Sequence, residues 1–235
     1  MKRAIFTLIV VALLFVGCRT SSPQADRLES LRKNYDKFIA LSFDDGPSPV
    51  TLQIHDLLAE HDSRASFFII GEKVTPETDH IVKRVLSLGC DIENHSLSHP
   101  RMTQLSAEEQ ASQASATTQI IERYGVTPKY FRPPYIDANE VTHSQVPQIF
   151  IGGYCPMDSR ANVTTEDRIK GLMEHAADGV IFLLHDFAGN TATVEALKKV
   201  IPALKSQGFT FVTVDELFAL KGVEPQKGII YNRVD

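Results

Sequence analysis

Phe38-Ile39-Ala40-Leu41-Ser42-Phe43-Asp44-Asp45-Gly46-Pro47 joins an uncharged, largely apolar run to two adjacent carboxylates and a turn. The run over 38–43 reads as a buried strand. Gly46-Pro47 bends the chain away and leaves Asp44 and Asp45 at the rim. Successive side chains on an extended segment point apart, so the two carboxylates are expected to face different targets. The pattern recurs along the chain: His95 follows a strand-like stretch over 90–94, Arg132 closes 130–132, and His185 closes 180–185. So many strand ends carrying chemistry at one face fit a closed or nearly closed barrel. A doubly wound sheet would concentrate its site at one switch point.

Further strands are expected over 65–70, 149–152 and 210–214, about seven in all, which makes the chain α/β. Helical patterns fill 49–60, 77–88, 106–124, 164–177, 194–206 and 215–220. Gly89 and Gly208 stand where helices stop. Ser106 with Glu109 three residues on fits a capping box.

The chain has 235 residues, 43% of them hydrophobic and 23% charged, which suits one domain with a large core. Its net charge of -5 argues against nucleic acid as a partner and against attraction to an anionic membrane by bulk electrostatics. Residues 1–17 read as a lipoprotein-type signal peptide: basic Lys2 and Arg3, an apolar stretch over 4–16, then Gly17-Cys18. Phe15 stands where such signals usually carry Leu. Cys18 is the expected lipidation site, which would make the protein exported and membrane-anchored in the bacterial cell envelope. An ordinary secretory signal or an uncleaved anchor is the alternative. Residues 18–36 read as a tether ending in a helical stretch over 26–35. A domain over 37–221 and a tail over 222–235 follow. In that compartment Cys90 and Cys155 could pair, or both could stay as free thiols.

One Asp and two His form a ligand set that Zn²⁺ accepts, and Co²⁺ or Ni²⁺ as well. Asp45, His95 and His99 are the expected divalent-metal ligands, with Asp44 beside them as a general base. His95 and His99 are four residues apart, as in His-Glu-x-x-His proteases. Ser96 stands in place of that Glu and Pro100 follows, so the protease reading fails. In Arg132-Pro133-Pro134-Tyr135 the prolines hold the backbone extended. Arg132 could orient Asp44, and the Tyr135 N–H could donate to a developing oxyanion. His185, at the end of a buried strand, is the expected general acid. Pro133, Pro134, Tyr135 and Leu183 are expected at the substrate site.

In this order the stretches Ser42-Phe43-Asp44-Asp45-Gly46-Pro47, His95-Ser96-Leu97-Ser98-His99, Arg132-Pro133-Pro134-Tyr135 and Leu183-Leu184-His185 resemble the motifs of the polysaccharide deacetylases. These form carbohydrate esterase family 4 and share the chitooligosaccharide deacetylase homology domain. Ala65-Ser66-Phe67-Phe68 adds to the likeness, which runs from about Phe38 to Leu220. The resemblance implies a distorted (β/α)₇ barrel and metal-dependent removal of acetyl groups from an N- or O-acetylated polysaccharide or oligosaccharide. The glycan would belong to the cell envelope or the extracellular space.

The fourth motif departs from the family. Its usual Asp-x-x-Asp-Trp appears as Asp158-Ser159-Arg160-Ala161-Asn162. In the family the second Asp pairs with the catalytic His, so Ala161 leaves His185 without its expected partner. Its pKa should fall unless another carboxylate substitutes. Asp158 and Asp186 are the candidates. Asp158 is favoured because Asp186, on the residue next to His185, tends to point away. Ile136 replaces a common Gly. The chain contains no Trp, which leaves Tyr135, Tyr154 and Phe187 as aromatic platforms for sugar. The rival readings are a catalytically impaired glycan-binding relative, a same-fold hydrolase of small amides or imides, and a structural envelope lipoprotein.

Overall fold

β1 (Lys37–Gly46) is the centre of the sheet in the computed structural model, which describes residues 22–235. Cys18 and the signal peptide lie outside the described residues. Along β1 the side chains alternate between two cores. Ile39, Leu41 and Phe43 pack into a cluster shared with α2 (Pro49–Glu60), α3 (Asp79–Ser87) and α7 (Thr191–Ser206). Phe38 and Ala40 join a second cluster with Phe68, Tyr130, Ile181 and Val212. Ser42 and Asp44 continue that second face, so a polar group replaces apolar packing only at the strand's end.

The strands are β2 (Ser66–Ile69), β3 (Asp91–Asn94), β4 (Tyr130–Phe131), β5 (Ile149–Ile151), β6 (Ile181–His185), β7 (Phe209–Val212) and β8 (Ile230–Tyr231). They form one parallel sheet in the order β6-β1-β2-β3-β4-β5-β8, with β7 paired to the first half of β1. Tyr154 closes the gap between β5 and β6: its N–H donates to Ile181 and its carbonyl accepts from Leu183. The result is the distorted (β/α)₇ barrel. The register sets Asp44 beside His185 on β1 and β6. On β3 and β4 it sets Asn94, the residue before His95, beside Phe131, the residue before Arg132.

α4 (Ala107–Glu122) starts with the expected capping box of Ser106 and Glu109. α6 (Thr165–Glu174) and α8 (Val214–Lys221) carry the same device. α1 (Pro23–Asn34) begins three residues before the expected helical stretch and docks on α8, where Arg27 and Arg64 both reach the buried Glu216. α5 (Glu140–Gln145) has no counterpart in the sequence reading. Cys90 and Cys155 are free thiols.

The stretch set apart as a tail is part of the barrel. β8 extends the sheet beyond β5, Asn232 Oδ1 accepts from Gly153 N–H at 2.8 Å, and Val234 is buried. Gly179 makes the last contact. Its φ is +86° and a Cβ there would lie 2.1 Å from the Val234 carbonyl oxygen. Gly179→Ala should therefore lower stability by about 1–3 kcal/mol or more. The check is a lower urea midpoint with an unchanged slope.

Candidate active site

Asp44 is held by Arg132. The fully buried guanidinium donates from Nη1 to Asp44 Oδ1 at 2.6 Å and from Nη2 to Ser42 Oγ at 2.8 Å and the Gly152 carbonyl at 2.6 Å. Its Nε reaches the Ile151 carbonyl at 3.2 Å, and its plane lies 4.1 Å over the Phe68 ring. The carboxylate thus has one orientation, as the sequence reading expected of Arg132.

Asp45 parts from Asp44 by a different route than simple strand alternation. Its φ is +71°, a left-handed conformation that Asp tolerates, and the pairing of β1 with β2 slips between Asp44 and Gly46. Lys73 fixes the turn by donating to the Asp45 carbonyl at 2.7 Å. The carboxylate now faces two imidazoles: Asp45 Oδ1 lies 3.5 Å from His95 Nε2 and 3.3 Å from His99 Nε2. Burial pushes the Asp45 carboxyl upward, but His95, then His99 and His185, outweigh it and bring it down to about 2. Burial, then His95, lowers the His99 pKa. A neutral imidazole is the form that ligates a metal.

Three features show that these residues fit a metal ion. Asp45 Oδ1 is buried and accepts no hydrogen bond. Ligand atoms about 2.0–2.2 Å from a tetrahedral ion lie roughly 3.3–3.6 Å apart, the spacing just described. His95 Nδ1 lies 2.6 Å from the Arg132 carbonyl, a contact that assigns the proton to Nδ1 and leaves the Nε2 lone pair facing Asp45. The loop carrying both His residues is pinned by α4: Gln113 Oε1 accepts from the N–H groups of Leu97 and Ser98, each at 3.0 Å.

The sequence deficit at His185 is corrected by Asp158. This fully buried carboxylate places Oδ1 2.7 Å from His185 Nδ1, and its Oδ2 accepts from the His185 N–H at 2.9 Å and Thr193 Oγ1 at 2.8 Å. Asn190 supports it and is itself held by the buried Arg168, whose Nη1 is 2.8 Å from Asn190 Oδ1. Burial pushes the His185 pKa down; the Asp158 hydrogen bond and charge, then Asp44 and Asp45, outweigh it and raise it to about 9. Ala161 and Asn162 are exposed on the loop, so the carboxylate this His needs comes from the motif's first position. Asp186 points away, as expected, into a buried contact with Thr51.

Asp44, Asp45, His95, His99, Tyr135 and His185 all open onto one cavity of about 710 Å³. Pro133, Leu183, Ile136, Met157, Arg160 and Phe187 also line it, with Cys155 and Ser159. Pro134 is buried and does not line it, contrary to expectation, because the turn at Tyr135 directs it inward. Tyr154 serves barrel closure and stacks on His175 at 3.7 Å, also off this wall.

The sequence model described as polysaccharide deacetylase matches residues 32–149, half of the chain. The chain belongs to the polysaccharide deacetylase family. The chain is 41% identical over 217 residues to a bifunctional xylanase/deacetylase of Pseudobutyrivibrio xylanivorans, covering 92% of this chain but 36% of that protein. It is 38% identical to a peptidoglycan-N-acetylglucosamine deacetylase of Bacillus cereus, covering 80% of this chain and 91% of that one. The crystal structure of the Xyl-CE4 domain of a multidomain xylanase, from the hindgut metagenome of Trinervitermes trinervoides, superimposes with a TM-score of 0.83 at 41% identity. It covers 85% of this chain and 98% of that one. A family 4 acetyl xylan esterase from Clostridium thermocellum, solved in complex with a cobalt ion, gives 0.80 at 37%, covering 84% and 99%.

The candidate site also includes residues that sequence reasoning missed: Ser42, Lys73, Gln113, Arg168, Asn190 and Thr193. Only Ser42 carried a local signal, as the sole hydroxyl in an apolar strand. In the metal-free protein His185 should titrate near pH 9 by NMR of its ring. Asp158→Asn should lower that pKa, because burial remains while the hydrogen bond and charge go. Ala161→Asp should leave it in place. The Asp158–His185 pair contributes stability fully below the ordinary histidine value of 6.5, and that contribution is lost as pH rises through about 9.

Proposed function

We propose that this protein is a metal-dependent deacetylase that removes acetyl groups from an acetylated glycan of the cell envelope or extracellular space. One observation carries the reading. A carboxylate and an imidazole, each locked by a buried partner, bracket the Asp45/His95/His99 cluster in a single cavity. Arg132 fixes Asp44 on one side, and Asp158 fixes the imidazole of His185 on the other. The relatives named above include deacetylases of peptidoglycan and xylan, which supports the same reaction class here.

Asp45, His95 and His99 would hold the ion, Zn²⁺ or, with the same ligand set, Co²⁺ or Ni²⁺. A divalent ion held there supplies Lewis-acid polarisation of the acyl oxygen and of water. The remaining steps belong to side chains of this chain. Asp44 accepts a proton from the attacking water as the carbon–oxygen bond forms. The Tyr135 N–H donates to the developing oxyanion. His185, with Nδ1 engaged by Asp158, presents Nε2 to the cavity. From there it protonates the leaving amine or alcohol as the acyl bond breaks, and acetate departs. A proton-loaded imidazole is the form this step needs, and the raised pKa of His185 supplies it at neutral pH.

The test is acetate release from acetylated chitooligomers, peptidoglycan and acetylated xylan by the metal-loaded protein. Asp44→Asn should keep the ion and lose about 10²–10⁴-fold in turnover. His95→Ala should lose most of the ion. Asp44→Asn activity within threefold of wild type would remove Asp44 as the base, and no release from any of the three polymers would remove the reading.

The signal-like N-terminus supports an exported protein tethered through lipid on Cys18. Intact mass of the membrane-extracted protein should show a lipidated N-terminal Cys18. A mature chain starting at any other residue would refute the tether.

A further inference from the structure

Among the described residues, five large hydrophobic side chains are exposed: Tyr135, Ile136, Val141, Met157 and Ile229. Three of them, Tyr135, Ile136 and Met157, line the cavity that holds Asp44 and His185. The same three have φ of +60°, +54° and +60°. No other apolar side chain among the described residues sits at positive φ. L-residues visit this region rarely, and a β-branched residue such as Ile136 least of all, whereas Gly adopts it freely. Exposure and backbone strain both disfavour these side chains, so neither packing nor solubility accounts for them.

The strained backbone is fixed by its surroundings. Ile136 N–H donates to the Pro133 carbonyl at 2.9 Å and Asp137 N–H to the Pro134 carbonyl at 3.0 Å. The Asp137 carboxylate accepts from Thr103 N–H at 3.0 Å and Oγ1 at 2.7 Å. On the other loop Arg160 N–H donates to the Met157 carbonyl at 3.0 Å. The Tyr135 ring is held between His99, at 4.7 Å, and Arg101, at 4.5 Å. Strain retained in this way clusters where a ligand must be met in one geometry.

We infer that Tyr135, Ile136 and Met157 form a preorganised apolar rim that binds the sugars flanking the acetylated unit through the C–H faces of their rings. A pyranose presents apolar C–H faces and directs most hydroxyls to its edge, so a rim of ring, branched alkyl and thioether surfaces complements the face and leaves the edge in water. Burial is the source of the affinity, and a side chain already fixed loses little freedom on contact. The ligand class is an oligosaccharide longer than the reacting unit. The inference takes its location from the deacetylase reading and names which residues read the polymer.

The test compares wild type with Ile136→Gly, Met157→Gly and the double variant, all metal-loaded. Two substrates are used, an acetylated xylo- or chito-oligosaccharide and a small aryl acetate ester that carries no flanking sugar. The ratio of oligosaccharide to aryl-ester kcat/KM should fall about threefold to thirtyfold in the double variant, through KM. The thermal midpoint should hold or rise, because Gly relieves the backbone. An unchanged ratio overturns the rim, as does a fall in both substrates together with a lower midpoint. If wild type releases acetate from no polymer, the deacetylase reading fails separately. Calorimetric binding of deacetylated oligosaccharide then decides the rim: weaker binding by the double variant supports it, and equal binding or none by wild type overturns it.

Discussion

The contact between Arg132 and Asp44 organises the site. A buried ion pair is an expensive way to stabilise a fold, since each ion loses several kcal/mol of hydration. Here the cost is offset by completeness. The guanidinium spends its donors on Asp44 and Ser42 of β1, on the Ile151 carbonyl of β5, and on the Gly152 carbonyl just beyond β5. β1 and β5 are not neighbours in the sheet, so one side chain ties opposite sides of the barrel at the level where the chemistry begins. A lysine could not do this, because a point charge on a flexible stem lacks the planar fork. The Arg132 carbonyl meanwhile holds His95 Nδ1. One residue therefore orients both the proposed base and a proposed metal ligand, from its two ends.

How much of this was legible follows from the range of each signal. Buried strands such as 38–43 are written in consecutive residues, and so were the positions of Asp44, His95, Arg132 and His185 at strand ends. The capping box at Ser106 is equally local. β8 was not legible because two residues in a polar stretch carry no periodicity. α5, six residues long, is too short for one. The backbone of Asp45 was misread for a related reason. A left-handed residue inside an extended run leaves no mark when the residue is Asp rather than Gly. Lys73, Gln113, Arg168 and Asn190 act across many residues of chain, and nothing in their immediate sequence distinguishes them from surface polar groups.

Asp158 shows why a motif and its function can separate. The need at His185 is a carboxylate oxygen near 2.7 Å from Nδ1, on the side away from the cavity. Which position of the loop supplies it is immaterial to the imidazole. In this chain the supplier is the one residue of 157–162 that is buried, and its second oxygen is filled by the His185 N–H, Asn190 and Thr193. The positions that depart from the family pattern, Ala161 and Asn162, are exposed. Substitution there changes the surface of the loop and leaves its anchor intact.

That division gives the loop two roles at once. Its buried residue fixes the proposed proton donor, His185, and its exposed residues, Met157 and Arg160, face the cavity. The loop after Arg132 is built in the same way. Pro134 is buried and holds the segment, while Tyr135 and Ile136 turn outward at positive φ. A side chain anchored one or two residues from a buried contact has little room to move, so both loops present their outer residues in fixed positions although they lie at the surface. The barrel interior sets the proposed reacting groups through buried hydrogen bonds. The loops set the surroundings through exposed side chains, each beside a buried residue, Pro134 or Asp158, that carries the structural load.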